Sequence, residues 1–157
     1  MTEPWYQQIA IPALLRHARK TYGRAMRGAL ERAGFDDIPA NGLYIIGGLA
    51  LEGGGVPIGQ LVRDLGITKQ GAGQLVDTLV NRGYLTRQPD PQDRRRLIVT
   101  LTERGEAAAE AQKQGRLAVD RKLLAAVGVA DVDALRRGLA AVIEIGHSHE
   151  EPDQARA

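Results

Sequence analysis

Cysteine is absent from this chain of 157 residues, and aromatic residues make up only 4% of it. Without thiols the chain has no disulfides, no thiolate zinc site, no iron–sulfur cluster, no cysteine nucleophile and no thiol redox sensor. The lack of cysteine fits a cytoplasmic protein, which is the location we expect. The shortage of aromatic rings predicts an aliphatic core and argues against large aromatic stacking platforms.

Long apolar runs are also missing. No stretch approaches the roughly 18–20 apolar residues that cross a bilayer, so we expect no membrane partner. The first thirteen residues are interrupted by polar residues and prolines, and they lack the pattern of a signal peptide. Apolar residues nevertheless make up 43% of the chain and charged residues 25%. This composition and length predict one globular domain with a core of its own.

Hydrophobic periodicity predicts a mostly helical chain. Apolar residues recur at three- and four-residue spacing over 14–33, and a second helix is expected to hold Pro39 in its first turn. A long alanine-rich helix is predicted over 103–127. We expect Asp131 or Asp133 to cap a last helix after it.

Two short helices and a hairpin are predicted in the middle of the chain. Apolar residues at i, i+3, i+4 and i+7 indicate helices over 57–65 and 68–82, joined by a tight turn that contains glycine. Strand-like segments flank the turn sequence 89–93 and predict a β-hairpin with three arginines at its tip. We therefore predict a mainly α fold with a small β-hairpin, a winged helix-turn-helix.

The 68–82 helix is expected to bury one face and to present polar side chains on the other. Gln70 and Gln74 are four residues apart and point the same way, and glutamine bonds bidentately to adenine in the major groove. Lys69 suits a phosphate or a guanine, and Asp77 is expected to orient a nearby Arg or Gln. The alternative is a plain solvated face. The predicted DNA contacts of this helix are Thr68, Lys69, Gln70, Gly73, Gln74 and Thr78.

Three parts of the sequence resemble the MarR family of bacterial transcriptional regulators. They are LGITKQGAGQLVDTLVNRGYL at 65–85, DPQDRRR at 90–96 and VTLTERG at 99–105. The most specific part is the Asp-Arg-Arg wing followed by the Val-x-Leu-Thr-x-x-Gly strand end. The resemblance covers roughly residues 10–147 and implies a homodimer in which each subunit presents one winged domain to double-stranded DNA.

The resemblance also implies a domain organisation. Residues 1–147 would form a single MarR-like domain followed by a polar tail at 148–157. Within that domain the dimerisation helices would lie at 10–33 and 103–147. The winged helix-turn-helix that binds DNA would occupy 39–102.

The wing carries Arg94, Arg95 and Arg96 in a segment, 60–104, that has eight Arg or Lys and five Asp or Glu. Clustered arginines suit a polyanion, and they are also compatible with a solvated loop. The resemblance places Arg95 in the minor groove with Asp93 bracing it, while Arg94 and Arg96 neutralise phosphates. Strand alternation would point Arg94 and Arg96 away from Arg95. Arg87 is the expected partner of Asp93, in a pair worth under about 1 kcal/mol if it is only a surface salt bridge.

Many members of this family release DNA when a small phenolic or lipophilic ligand binds between the dimerisation and DNA-binding regions. The resemblance therefore implies such an effector, and Arg16, His17 and Tyr44 are the candidate pocket residues. Trp5 and Tyr6 either join this pocket or pack as an arm on the partner subunit. His17 and Tyr44 are equally compatible with plain core positions.

Two glycines, Gly71 and Gly73, depart from the usual pattern early in the 68–82 helix. Each costs about 1 kcal/mol relative to alanine inside a helix. They either allow the backbone to approach DNA closely or leave the start of the helix loose until DNA orders it.

The predicted function is that of a transcriptional regulator, a homodimeric repressor that binds a pseudo-palindromic operator and is released by a small molecule. An effector-independent or architectural DNA-binding protein is the first alternative, and a small helical enzyme with an unrecognised site is the second. No catalytic or cofactor motif stands out, and the pair His147 and His149 lacks a third ligand at a clear spacing. We therefore predict no enzymatic activity, no cofactor and no metal.

Overall fold

The computed structural model describes residues 3–150, with side chains described for residues 3–147. After a short 3-10 helix at Trp5–Gln8, the helices and strands follow in one order along the chain. They are α1 (Ile11–Arg32), α2 (Gly42–Glu52), β1 (Val56–Pro57), α3 (Ile58–Leu65), α4 (Lys69–Asn81), β2 (Leu85–Pro89), β3 (Leu97–Leu101) and α5 (Glu103–Glu150). Between residues 3 and 150, no helix is both long and apolar enough to cross a membrane.

The chain divides into two compact units, Met1–Leu117 and Ala118–Ala157. The first unit holds α1 to α4, the sheet and the start of α5. The described part of the second unit is the rest of α5. Most of the predicted polar tail, residues 151–157, lies outside the described residues.

The predicted winged helix-turn-helix is confirmed. Helices α3 and α4 are joined by a turn in which Gly66 adopts a left-handed φ of 61°. Helix α4 begins after Thr68, whose hydroxyl accepts a hydrogen bond of 3.0 Å from the backbone N–H of Gly71. Because this bond satisfies one of the free N–H groups of the first turn, Thr68 is the N-cap that the sequence predicts.

The sheet has one strand more than the predicted hairpin. Strands β2 and β3 pair antiparallel from Leu85↔Leu101 to Pro89↔Leu97. The other edge of β3 pairs with β1, where Val56 lies opposite Val99. The order is therefore β1-β3-β2. Two residues, one of them proline, show no alternation, so the sequence pattern could not indicate β1.

Helix α2 begins at Gly42, so Pro39 does not lie in its first turn as predicted. Pro39 lies in a turn before the helix, and its carbonyl accepts a hydrogen bond of 2.8 Å from Gly42. The guanidinium of Arg27 on α1 fixes this turn, because it donates to the carbonyls of Ile38, Pro39 and Ala40 at 2.7, 3.2 and 3.3 Å.

The predicted capping of a last helix by Asp131 or Asp133 is wrong. Both residues lie inside α5, which is interrupted earlier, at Gly128, where φ is 83° and ψ is 170°. The break matches the predicted end of the preceding helix near Val127. Because glycine adopts this conformation at little steric cost, the helical path bends at Gly128 and resumes before either aspartate.

The core of the first unit is aliphatic, as the composition predicts. Its fully buried side chains include Leu30, Ile45, Ile46, Leu49, Val76, Leu79 and Val99. Helix α5 crosses α1 at Gly115, and a Cβ there would overlap the carbonyl oxygen of Ala25 and lie 2.8 Å from its carbonyl carbon. The missing side chain at Gly115 therefore lets the two helix backbones touch.

One aromatic residue, Tyr84, is also fully buried. Its hydroxyl donates to Asp37 and accepts a hydrogen bond of 2.9 Å from Arg104 at the start of α5. Arg104 also pairs with the Asp37 carboxylate at 3.3 Å. The hydrogen bond from Tyr84 lowers the pKa of Asp37, and burial raises the pKa of Tyr84. This cluster ties the segment before α2 to the start of β2 and the start of α5.

Candidate nucleic-acid interface

Helix α4 presents the polar face that the sequence predicts. Ala72, Val76 and Leu79 are buried, and Leu75 is half-buried on the same side. The opposite side exposes Lys69, Gln70, Gln74 and Asp77, with Gly73 between them. The two glutamines lie one helical turn apart on this exposed side, so both amides are available to a base edge.

Two of the predicted contact residues on α4 serve the helix itself. The Thr68 hydroxyl accepts the capping hydrogen bond from Gly71. The Thr78 hydroxyl donates to the carbonyl of Gln74 at 2.9 Å. Their donor and acceptor capacity is therefore partly used inside α4. Lys69, Gln70 and Gln74 remain as exposed polar side chains without a contact inside α4 among the described residues.

The predicted pair of Arg87 with Asp93 is wrong. Arg87 on β2 forms an ion pair and hydrogen bond with Asp77 on α4 instead. This contact confirms the expectation that Asp77 orients a nearby arginine. Since Asp77 is engaged in this way, its negative charge on the exposed face of α4 is balanced by a cation from the base of the wing.

The wing is held by Asp90, a residue that sequence reasoning missed. Its carboxylate is largely buried and accepts hydrogen bonds from the backbone N–H of Gln92 at 2.9 Å and from Arg96 Nε and Nη2 at 3.0 and 2.6 Å. Its own N–H donates to the carbonyl of Arg96 at 2.8 Å. Asp90 and Arg96 thus close the loop between β2 and β3. The signal in the sequence is an aspartate at the start of a turn, because such a side chain commonly accepts the backbone N–H two residues further on.

Arg96, the other predicted phosphate contact, is paired within the wing, and its role toward DNA stays a prediction. Its guanidinium is bound to Asp90, which neutralises its charge. Asp93 contacts Arg95 as predicted, through its backbone: the Asp93 carboxylate accepts a hydrogen bond of 3.1 Å from the Arg95 N–H. Asp93 therefore shapes the turn that carries Arg95.

Arg94 and Arg95 lie in the turn at the tip of the wing, not in a strand. The predicted strand alternation of the three arginines is therefore wrong. Both side chains are exposed, and within residues 3–147 neither guanidinium has a hydrogen-bond or ion-pair partner. They are the two uncompensated cations of the wing.

The carboxyl of Asp90 has a pKa below its ordinary value, because the Gln92 N–H and then Arg96 stabilise its charged form. A carboxyl with a depressed pKa contributes stability above its unfolded value, about 3.9. That contribution is lost as the pH falls through the folded value. We therefore expect the backbone N–H resonance of Gln92 and the Nε–H resonance of Arg96 to titrate together in an NMR experiment, with a midpoint below about 3.9.

The Asp90→Asn variant supplies the control for this titration. It removes the ionisable group, so the shared transition of the two N–H resonances should disappear from the spectra. A midpoint at the ordinary aspartate value in the unmodified protein would show that the Asp90–Arg96 contact does not hold the wing in solution.

Two cavities were found in the first unit, and they fit the predicted ligand pocket only in part. One, of about 410 Å³, is lined by Tyr44 together with Lys20, Arg24 and Arg27 of α1. Arg16 and His17 line neither cavity; both are exposed on α1, so their predicted place in a pocket is not found. Trp5 and Tyr6 are exposed and contact each other edge to face.

The other cavity has a volume of about 490 Å³ and lies between α2, β3 and α5. Apolar groups of Met26, Leu49 and Leu101 line it, with charged side chains of α5 at its edge. Gln112 also lines it, and its amide donates to the carbonyl of Leu43 at 3.0 Å. Sequence reasoning missed this cavity because its walls come from three distant segments.

No cluster of three or more His, Asp or Glu that would suit a metal ion occurs in the part of the chain that the structure describes. The side chain of His149, half of the candidate pair in the sequence, lies outside that part.

These features define a winged helix-turn-helix protein with an exposed polar helix and a cationic wing tip. A model of the MarR family matches residues 36–96. No curated protein matches the chain. Residues 36–96 are therefore similar to the MarR family, and the winged helix-turn-helix fold agrees with that similarity.

Solved structures share this fold over most of their length. FabT of Streptococcus pneumoniae in complex with DNA is 20% identical, with 92% of this chain and 99% of that one covered and a TM-score of 0.74. A MarR transcriptional regulator from Methanosarcina mazei Go1 is 22% identical, with 88% and 96% covered and a TM-score of 0.74. A transcriptional regulator from Thermotoga maritima is 26% identical, with 88% and 94% covered and a TM-score of 0.57.

Proposed function

We propose that this protein is a cytoplasmic transcriptional regulator that binds double-stranded DNA as a homodimer and represses transcription from a pseudo-palindromic operator. The observation that carries the proposal is the pairing of two surfaces in one small domain. Helix α4 exposes Gln70 and Gln74, and the wing tip exposes Arg94 and Arg95, which have no ion-pair partner among residues 3–147. Amides on an exposed helix suit base edges in the major groove, and free arginines suit phosphates and the minor groove.

Side-chain contacts that hold these two surfaces in place also support the proposal. The cap at Thr68 fixes the start of α4, Asp77 links α4 to Arg87 at the base of the wing, and Asp90 closes the wing loop. A reading surface that is already ordered loses less conformational entropy when DNA binds. One of the solved structures with the same fold, FabT, is itself in complex with DNA.

Exposed apolar side chains support the homodimer. In the first unit, Ile11 is 65% exposed and Leu15 is 36% exposed on α1. In the second unit, Leu135, Val142 and Ile143 are about half exposed on α5. Apolar surface on both terminal segments favours burial against a second copy of the chain. We propose residues 10–33 and 103–147 as the dimerisation helices and 39–102 as the DNA-binding part of a single MarR-like domain over 1–147.

We place the proposed effector in the cavity between α2, β3 and α5 rather than beside Arg16 and His17. Its mixed lining, with Met26, Leu49 and Leu101 beside charged and polar side chains of α5, suits a small phenolic molecule with one apolar ring and a polar group. A ligand there would contact both α5 and the sheet that carries the wing. It would release DNA only if it bound the DNA-free arrangement more tightly than the DNA-bound one.

Selection from a pool of random duplexes tests this function directly. We expect the protein to enrich pseudo-palindromic sites whose halves lie about 10 bp apart, because a twofold dimer places one α4 in each half-site. Sedimentation should give a dimer mass. A pool that shows no enrichment, or a single asymmetric half-site bound by a monomer, would contradict the proposal. Thermal-shift screening of small phenols against the same protein then separates a ligand-controlled regulator from an effector-independent one.

Substitution of the two wing arginines should give two different signatures. Arg94→Ala should weaken selected and random duplexes about equally and lower the salt slope of log Kd by about one, as loss of a phosphate contact does. Arg95→Ala should weaken binding most where A·T pairs flank the site, because its partner is a narrow minor groove. Binding titrations at several salt concentrations measure both effects.

The control for this pair is Gln88→Ala, which changes an exposed β2 residue outside the wing tip and should leave affinity unchanged. If both arginine variants bind like the unmodified protein, the wing does not contact DNA.

A further inference from the structure

Gly73 is half-buried and lies beside the exposed polar residues of α4. Lys69 and Gln70 lie one turn before it and Asp77 lies one turn after it, and all three are exposed. A Cβ built at Gly73 would meet no atom within 4 Å. The backbone there is ordinary helix, since Gly73 is not among the glycines with positive φ. Neither packing nor backbone geometry within the chain therefore requires glycine at this position.

The neighbouring glycine has a different explanation. A Cβ at Gly71 would lie 3.1 Å from Oγ1 of Thr68, which is the atom that caps α4. That separation is tight, so Gly71 leaves room for the N-cap. Gly73 has no such neighbour, although glycine inside a helix is less stable than alanine by about 0.5–1 kcal/mol. Gly73 thus makes α4 less stable than alanine would, and it does so at a position on the surface that faces DNA in the proposed function.

The chemistry of the flanking side chains indicates what approaches Gly73. A glutamine amide that bonds bidentately to adenine reads an A·T pair, and the thymine of that pair projects its 5-methyl group into the same major groove. Gln70 borders Gly73 on the helix surface. A side chain at position 73 would occupy the space that this methyl group, or the methyl of the next pair, needs.

Resting on the proposed function, we infer that Gly73 is a specificity-determining residue. Its missing side chain leaves a gap beside Gln70, on the side away from Gln74, that admits a thymine methyl group and brings the α4 backbone close to an A·T pair. The gap acts by shape, whereas the glutamines act by hydrogen bonding. The two together would read an adenine and the methyl group of a thymine at adjoining places.

The test combines a protein variant with a base analogue. Duplexes are first selected from a random pool with the unmodified protein, and each thymine is then replaced in turn by uracil, which lacks the methyl group. On the selected duplex, Gly73→Ala should bind about tenfold more weakly than the unmodified protein. At one thymine in each half-site, uracil should restore the affinity of Gly73→Ala to within about twofold of the unmodified protein. Gly73→Ser serves as a second variant with the same expectation.

Gly48→Ala is the matched control. Gly48 also lies inside a helix, α2, and a Cβ there would meet no atom within 4 Å. Both alanine variants should melt at or above the temperature of the unmodified protein, because alanine favours helix. Only Gly73→Ala should bind the selected duplex more weakly, and replacing the thymine by uracil should restore its affinity.

Each result of this experiment has a distinct meaning. If Gly73→Ala binds the selected duplex as tightly as the unmodified protein, the inference is wrong and the proposed function stands. The inference is also wrong if the variant loses the same factor on all duplexes, with thymine or with uracil. If the unmodified protein selects no sequence at all, the proposed function itself fails.

Discussion

Gly115→Ala should lower the free energy of unfolding by about 1–3 kcal/mol, the range found when atoms are forced into a packed interior. The added methyl would overlap the carbonyl oxygen of Ala25 and crowd the Cα of Met26 at 2.9 Å. These are backbone atoms of α1, so no side-chain rotation relieves the contact. Helices α1 and α5 must separate, and the packing on both sides of the crossing loosens.

Urea unfolding followed by circular dichroism measures this effect. Gly48→Ala is the control, because Gly48 lies inside helix α2 and a Cβ there meets no atom within 4 Å in the described part of the chain. That variant should be as stable as the unmodified protein or slightly more stable, since alanine favours helix. An unfolding midpoint for Gly115→Ala at or above that of the unmodified protein would show that α1 and α5 do not touch at this residue.

Tyr84→Ala should cost about 3–5 kcal/mol, as for other large buried aromatic residues. The ring is fully buried, packs edge to face on Phe35 at 6.1 Å and lies under the guanidinium of Arg104 at 4.6 Å. Truncation removes this contact area and leaves a cavity where three segments of the chain meet. A loss of this size is a large part of the 5–15 kcal/mol that stabilises a typical domain, so the helix-turn-helix should be partly unfolded at 37 °C.

Tyr84→Phe separates the contribution of the ring to stability from that of the hydroxyl. The ring contacts remain, so most of the stability should remain, and the loss should stay near the 0.5–1.5 kcal/mol of one hydrogen bond. The pH dependence should change more clearly. In the unmodified protein the lowered pKa of Asp37 gives stability above about pH 3.9 that is lost as the pH falls through the folded value. Without the Tyr84 hydroxyl, the largest cause of that shift, this acid-side loss should shrink.

The raised pKa of Tyr84 makes stability fall with rising pH, which is the opposite dependence to that of Asp37. Its contribution to stability is complete below the ordinary tyrosine value of about 10 and is lost as the pH rises through the folded value. Tyr84→Phe should lack this alkaline loss. Unfolding curves recorded from pH 3 to pH 11 test both sides. Identical pH profiles for the two proteins would show that Tyr84 is not coupled to Asp37 and Arg104.

Sequence reasoning found the elements whose signals are local. The cap at Thr68, the turn at Gly66 and the apolar face of α4 each depend on residues a few positions apart, and all three are confirmed. Strand β1 and the start of α2 were not predicted correctly. Both depend on partners distant in sequence: β3 for the strand, and the Arg27 guanidinium for the turn before α2. Long-range pairing of this kind leaves no periodic pattern.

In the candidate interface too, features with a local signal were predicted and features that depend on distant partners were not. The exposed residues of α4 follow from its period, and Asp77 was expected to orient a nearby arginine or glutamine. The partners inside the wing could not be read from its composition. Which of three arginines pairs with which of two aspartates depends on how the loop closes, and the structure assigns Arg96 to Asp90 and leaves Arg94 and Arg95 unpaired among residues 3–147. The cavity walls were unpredictable for the same reason.

The position of β3 determines how the DNA-binding part can move. One edge of β3 carries the wing strand β2, and its other edge binds Val56 and Pro57, the residues immediately before α3. Asp77 and Arg87 add a second link, from α4 to the wing. Helices α3 and α4 are therefore linked to the wing in two places, through β3 and through the Asp77–Arg87 pair. A signal that tilts the wing must tilt α4 with it, so the two contacts with DNA are expected to be gained and lost in a single step.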